Sequence, residues 1–148
     1  LAIEQADTVL FVADAIEDGT FVVGGGAVEI EVSHRLREYA TSVGGRVQLA
    51  IDAFADAFES VPLTLAENSG FNPLDKLVDL RTAHAKGGRH MGLNVFTGEV
   101  VDMLEAGVIE PARVKRQAIQ SAAETAVLLI RVDDMMVTQT KAPGMPGM

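Results

Sequence analysis

Between Arg46 and about Ala66, the residues Val47, Ala50, Ile51, Phe54, Phe58, Val61 and Leu65 recur at three- and four-residue spacing. That period is helical, and an amphipathic helix of such length is held mainly by elements that cover its apolar face. Pro62 falls inside it and is expected to kink the helix or reset its last turn. The same period recurs on both sides. Ile3, Ala6, Val9, Leu10, Ala13 and Ile16 predict a helix over 2–17, which Gly19 terminates. Val28, Val32, Leu36 and Tyr39 line another, with Glu31, Arg35 and Glu38 away from that face and Gly44-Gly45 at its end. After the break at Asn68-Ser69-Gly70, Asn72-Pro73 supplies an N-cap with proline at the first helical position. That helix runs to about Ala85, with Leu74, Leu77, Val78 and Arg81 along one side. Pro111 opens a last long helix to about Leu129, with Val114, Ala118, Ala122, Thr125 and Leu129 on one face.

Strand signals are few. Thr20 to Val23 is a short β-prone run. Met91 to Val101 lacks a helical period, and Gly92–Phe96 and Glu99–Val101 flank Thr97-Gly98 as a small hairpin. A helical turn over 102–105 follows, broken at Gly107. Residues 131–134 fit a short strand or a loop, and the Pro- and Gly-rich end from Lys141 to Met148 is expected to be disordered. No internal repeat is visible. The expectation is a mainly α fold, one helical bundle with one or two short β-hairpins.

Composition narrows the function classes. The 148 residues suit one domain, and 48% hydrophobic against 22% charged residues excludes a disordered chain. No apolar run approaches the roughly 20 residues that span a membrane, and no cationic leader precedes an apolar stretch. Without cysteine there is no disulfide framework, thiolate zinc site or cysteine nucleophile, and a reducing compartment is compatible. A net charge of −9 argues against binding to nucleic-acid phosphates. The excess of acids, with Lys scarcer than Arg, points to an acidic, salt-adapted proteome. The chain begins at Leu1, which suggests a fragment or a processed form. A mean hydropathy of +0.22 suggests faces that are buried against something outside these residues.

Several residues could carry chemistry. A β-prone run, Gly24-Gly25-Gly26 and a new helix stand in succession. Glycines let a ligand approach the backbone, and a helix N-terminus offers N–H groups to anions. The same triplet also makes a tight turn with no ligand at all. It is neither a Walker sequence nor GxGxxG, since Glu29 stands where the third glycine would be. Asp7 and Asp14 lie two turns apart on one predicted helix, and Asp7 falls among apolar neighbours. His34, His84 and His90 lack metal-ligand spacing, so no metal site is expected. Ser33 and His34 are adjacent and cannot pair on a helix, and no G-x-S-x-G elbow exists. Glu110 precedes a helix and suits its positive end, as a cap or as an acceptor for ribose hydroxyls.

Taken together, the segments resemble the archaeal group II chaperonins, the thermosomes. Val22 to Glu29 is similar to their nucleotide-contacting glycine motif. Ser33 to Ala40, Ala53 to Glu59, Leu65 to Gly70, Gly92 to Gly98, Gly107 to Pro111, Val114 to Glu124, Arg131 to Asp134 and the Gly-Met-Pro tail follow in order. The resemblance covers essentially the whole chain. The family's phosphate-binding Gly-Asp-Gly-Thr-Thr loop does not occur in it.

The resemblance implies the end of the intermediate domain with its hinge helix over 1–22, the C-terminal half of the equatorial ATP-binding domain over 23–136, and a flexible tail over 137–148. It implies ATP as substrate, with Mg²⁺ held mainly by the other half of the domain. It makes Asp7 the catalytic residue that orients the attacking water. Gly24, Gly25 and Gly26 approach the nucleotide by backbone, Asn94 and Val95 lie beside the adenine, and Glu110 holds the ribose. The implied partners are ATP and ADP, unfolded polypeptide and further subunits of a double ring. The implied location is the cytoplasm, with no nucleic acid and no membrane. The rival expectation is a helical oligomerisation module that hydrolyses nothing.

Overall fold

The computed structural model describes Ala13 and residues 16–133. The elements run β1 (Phe21–Val23), α1 (Ala27–Val43), α2 (Gly45–Asn68), α3 (Pro73–Ala85), β2 (Met91–Leu93), β3 (Val100–Asp102), β4 (Ile109–Pro111) and α4 (Ala112–Ile130). The chain divides into two compact units, Leu1–Val114 and Lys115–Met148. Helix dominates, as the sequence periods require. Ala13 and residues 16–18 are helical, consistent with the end of the first predicted helix; the rest of that helix and the tail from 134 onward lie outside the described residues.

Local chemistry sets the helix ends. Gly26, at φ 76°, starts α1. Gly44, at φ 68°, ends it while its N–H returns to the Ala40 carbonyl at 3.0 Å, and α2 begins at the next residue. Left-handed backbone at both places is easily adopted by glycine alone. The Asn72 side chain accepts from the N–H groups of Leu74 and Asp75, at 3.0 and 3.4 Å, so the expected cap with Pro73 is present.

Three faces differ from expectation. On α1 the buried residues are Ala27, Glu29, Ile30, Ser33 and Ala40, whereas Tyr39 is exposed. On α2 they are Ala55, Glu59, Pro62 and Ala66, whereas Val47, Phe54 and Val61 are exposed. Small residues allow helix backbones to approach closely, and the larger side chains are pushed outward. In α3, Leu77, Leu80 and His84 are buried, while Leu74 and Val78 face out. The core joins Ile30, Ala66, Leu77, Leu80 and Leu93. A smaller cluster of Val23, Ala27 and Met103 lies beneath the glycine turn. Pro62 does not end its helix: α2 continues to Asn68.

The two small sheets are both antiparallel. β2 and β3 form the expected hairpin, with Met91 opposite Asp102 and Leu93 opposite Val100. A single turn closed by a helical bond follows it: the Ala106 N–H donates to the Asp102 carbonyl at 3.0 Å, and the Asp102 side chain accepts from the N–H groups of Leu104 and Glu105. β1 pairs instead with the distant β4, with Phe21 opposite Pro111, Val22 opposite Glu110 and Val23 opposite Ile109. This second sheet is a long-range pairing, not a hairpin. Pro111 therefore closes a strand, and α4 starts one residue later. Residues 131–133 form no strand. None of α4's residues is buried within the chain.

Candidate functional site

The glycine triplet lies where the two sheets meet the first turn of α1. The Gly24 N–H donates to the Val108 carbonyl at 3.0 Å, which extends the β1–β4 ladder by one bond. The Leu93 N–H donates to the Gly25 carbonyl at 2.8 Å, which attaches β2 to the turn. The Ile30 N–H donates to the Gly26 carbonyl at 3.1 Å, where α1 begins. Three consecutive glycines thus bind three different parts of the fold.

All three positions are crowded. A Cβ on Gly24 would stand 2.8 Å from the Val108 side chain. On Gly25, at φ 65°, it would stand 2.9 Å from Met103 and 3.1 Å from the Leu93 nitrogen. On Gly26 it would stand 2.8 Å from the Pro62 Cβ. Gly92 completes the seat: a Cβ there would come within 2.9 and 3.0 Å of the Gly24 and Gly25 carbonyl oxygens. The glycines are needed for close packing.

Glu110 sits half-buried opposite Val22, and its carboxylate lies beside the turn, 3.8 Å from where a Gly24 Cβ would be. Asn94 follows Leu93 directly. Its side-chain oxygen accepts from the Phe96 and Thr97 N–H groups at 2.9 and 3.3 Å, and its backbone bonds Glu99 and Gly98. The side chain therefore shapes the loop that holds Val95, which is half-buried. The glycine turn, Asn94–Val95 and Glu110 come from three distant stretches of chain, and the two sheets bring them to one place. Asp7 and its neighbour Asp14 lie outside the described residues.

Behind the turn, ionised side chains tie the helices together. Glu59 of α2 is almost fully buried and accepts from the Ser33 hydroxyl of α1 at 2.8 Å. Arg81 of α3 donates to both its oxygens, by Nε at 3.0 Å and by Nη2, and Arg37 of α1 approaches to 3.3 Å. Burial alone would push the Glu59 carboxyl up, but the hydrogen bonds from Arg81 and Ser33, with the Arg81 and Arg37 charges, hold it below its ordinary value. His84 is buried, with Nδ1 3.0 Å from Glu31 of α1 and Nε2 2.8 Å from the Met91 carbonyl of β2. Burial also acts upward on Glu31, and the contacts with His84 and Arg35 outweigh it, so its carboxyl lies below its usual value.

Sequence patterns gave no sign of Pro62, Met103 or Val108 as the seat of the turn, because shape complementarity leaves no period. For Gly92 a signal existed and was not read: glycine within a strand marks close backbone approach. His84 beside a glycine loop gave no indication that it is buried.

Comparison with known proteins follows this geometry. Residues 3–140 match the model of the TCP-1/cpn60 chaperonin family. The thermosome subunit of Methanocaldococcus jannaschii is 58% identical over 134 residues, 90% of this chain and 25% of that protein. The thermosome subunit beta of Archaeoglobus fulgidus is 58% identical over 133 residues, 90% of this chain and 24% of its own length. The open-state monomer of a group II chaperonin from Methanococcoides burtonii superposes with a TM-score of 0.77 at 55% identity, over 80% of this chain and 30% of that one. The chain spans about a quarter of the length of the curated relatives it matches.

Proposed function

The chain belongs to the TCP-1/cpn60 chaperonin family, and on that premise we propose that it forms the C-terminal half of the equatorial nucleotide-binding domain, with the end of the intermediate domain before it, in a thermosome-type chaperonin. The intact chain binds and hydrolyses ATP within a double ring of subunits in the cytoplasm, and the cycle encloses unfolded polypeptide. The observation that carries this reading is the convergence of the glycine turn, Asn94–Val95 and Glu110 through the Gly24–Val108 and Gly25–Leu93 backbone bonds.

The roles follow from the chemistry. Gly24, Gly25 and Gly26 let the nucleotide approach the backbone at a helix N-terminus, where partial positive charge accumulates. Asn94 and Val95 form the wall beside the base. Glu110, an acceptor-only carboxylate, receives the ribose hydroxyls. Asp7, in the segment that precedes the turn in sequence, orients the water that attacks the γ-phosphate in line. Bound magnesium would neutralise phosphate charge. Magnesium is commonly held by one or two carboxylates together with the substrate phosphates, and those ligands lie mainly in the other half of the domain. The exposed apolar residues Phe54, Val61 and Leu49 of α2 support a domain completed by sequence outside this segment.

Photolabelling of the assembled full-length chaperonin with 8-azido-ATP tests the reading. The label is expected in the peptide that contains Asn94 and Val95, with protection by unlabelled ATP. Protected label confined to a peptide from elsewhere in the protein refutes it.

A further inference from the structure

Two ties attach β2 to the unit formed by the glycine turn and α1. One is the Leu93–Gly25 backbone bond of 2.8 Å. The other is a side-chain bridge: Glu31, in the second turn of α1, contacts His84 Nδ1 at 3.0 Å, and His84 Nε2 contacts the Met91 carbonyl at 2.8 Å. The His84 side chain is wholly buried. A carbonyl oxygen only accepts, so Nε2 carries the hydrogen in that contact. Nδ1 then meets the Glu31 carboxyl group, and one proton shared in that 3.0 Å contact makes the hydrogen bond. Arg35 holds Glu31 from the solvent side at 3.0 Å. The strand fixed in this way is the three residues Met91–Leu93, and Asn94 follows it directly.

We propose that His84 is a positioning residue for the nucleotide site, bridging Glu31 to the Met91 carbonyl so that Asn94–Val95 is held in register against the glycine turn. This rests on the nucleotide reading above. His84 touches no nucleotide in this role, and it acts on affinity through β2. The bridge needs hydrogen-bonding capacity at position 31, not charge. Glutamine there can donate its amide N–H to the Nδ1 lone pair while Nε2–H still meets Met91.

The experiment uses the assembled full-length chaperonin with His84→Ala, Glu31→Ala and Glu31→Gln. ADP affinity, the KM for ATP and the single-turnover hydrolysis rate at saturating ATP are measured beside the melting temperature. His84→Ala and Glu31→Ala are expected to weaken ADP binding and raise KM about tenfold, the size of one lost buried hydrogen bond. Hydrolysis of the saturated complex should change less than about twofold. Glu31→Gln should restore affinity to within about threefold of wild type. Lower melting temperatures with unchanged ADP affinity would reduce His84 to a packing residue and overturn the proposal. Equal losses in Glu31→Gln and Glu31→Ala would overturn the bridge. If His84→Ala fails to assemble, the two position-31 variants decide the matter by the same criterion. Wild-type protein that binds no ADP would refute the nucleotide reading and the proposal together, whereas wild-type binding unaltered by the variants refutes the proposal alone.

Discussion

Pro62 fills the space directly beneath Gly26. A Cβ at position 26 would stand 2.8 Å from the proline Cβ and 3.3 Å from its Cα, and Gly26 has a φ of 76°. A helix interior proline usually breaks its helix; here its ring sets the height of the turn that opens another.

Gly26→Ala should therefore lose about 1–2 kcal/mol to left-handed strain and about 1–3 kcal/mol more to overpacking. Gly70→Ala is the control, because its φ is 80° but nothing lies within 4 Å of its Cβ site. Thermal unfolding of both variants in the intact chain should place Gly26→Ala clearly below Gly70→Ala. Equal shifts would mean that Pro62 yields without cost.

The Glu59 network predicts acid sensitivity. Its carboxyl, like that of Glu31, is held below its ordinary value. A depressed folded value means that the unfolded chain binds protons first. The stabilisation is fully present above about pH 5, since it is complete above the unfolded value, and fades as pH falls through the folded values. Melting temperature should drop on acidification below that point, and the drop should be smaller in Glu59→Gln. An equally steep acid drop in the variant would show that other carboxylates dominate.

Removing the carboxylate of Glu110 should weaken nucleotide binding in the full-length chain. The loss is about 1.5–3 kcal/mol at most, the worth of one charged hydrogen bond. Glu110→Gln keeps the shape beside Gly24 and isolates the charge from the packing that Glu110→Ala also removes. Titration calorimetry with ADP that shows wild-type affinity in both variants would leave Glu110 a structural partner of β1.

Asp7→Ala should abolish ATP turnover and leave ATP affinity near normal, because a water-orienting carboxylate acts on the transition state. The expected loss is on the order of 10²–10⁴-fold. Asp14→Ala, two turns along the same predicted helix, should behave as wild type. Single-turnover hydrolysis with the two outcomes exchanged would move the catalytic role to Asp14.

The isolated 148-residue chain should release no phosphate from ATP at the rate of an intact chaperonin, and it should self-associate. Phe54, Val61 and the run Val127, Leu128, Leu129 and Ile130 are exposed within it. Light scattering that shows a stable monomer with a cooperative melt would contradict the half-domain reading.

Much of the helical layout was legible because punctuation residues carry it. Gly44-Gly45 and Asn72-Pro73 fix backbone conformation locally, so their effect survives any tertiary context. The buried faces were less legible. Apolar periodicity marked Val28, Val32 and Tyr39 in α1, but close helix packing favours Ala27, Ser33 and Ala40, and Ser33 is buried as the donor to Glu59. β4 escaped because three residues that include a proline have no period, and their partner is distant in sequence. The glycine turn was visible as a motif, while its seat on Pro62, Met103 and Gly92 depends on shape alone.

The pairing of β1 with β4 also has a temporal consequence. Most of the described sequence must be synthesised between the two strands, so closing this sheet shuts a long loop and is entropically slow compared with forming the helices. A nascent chain that has emerged only as far as the hairpin can contain α1, α2 and α3 but lacks Val108 as the partner of Gly24. The last tie on the glycine turn is therefore made only after Val108 is available, so the turn acquires its complete set of partners late in the chain's own synthesis.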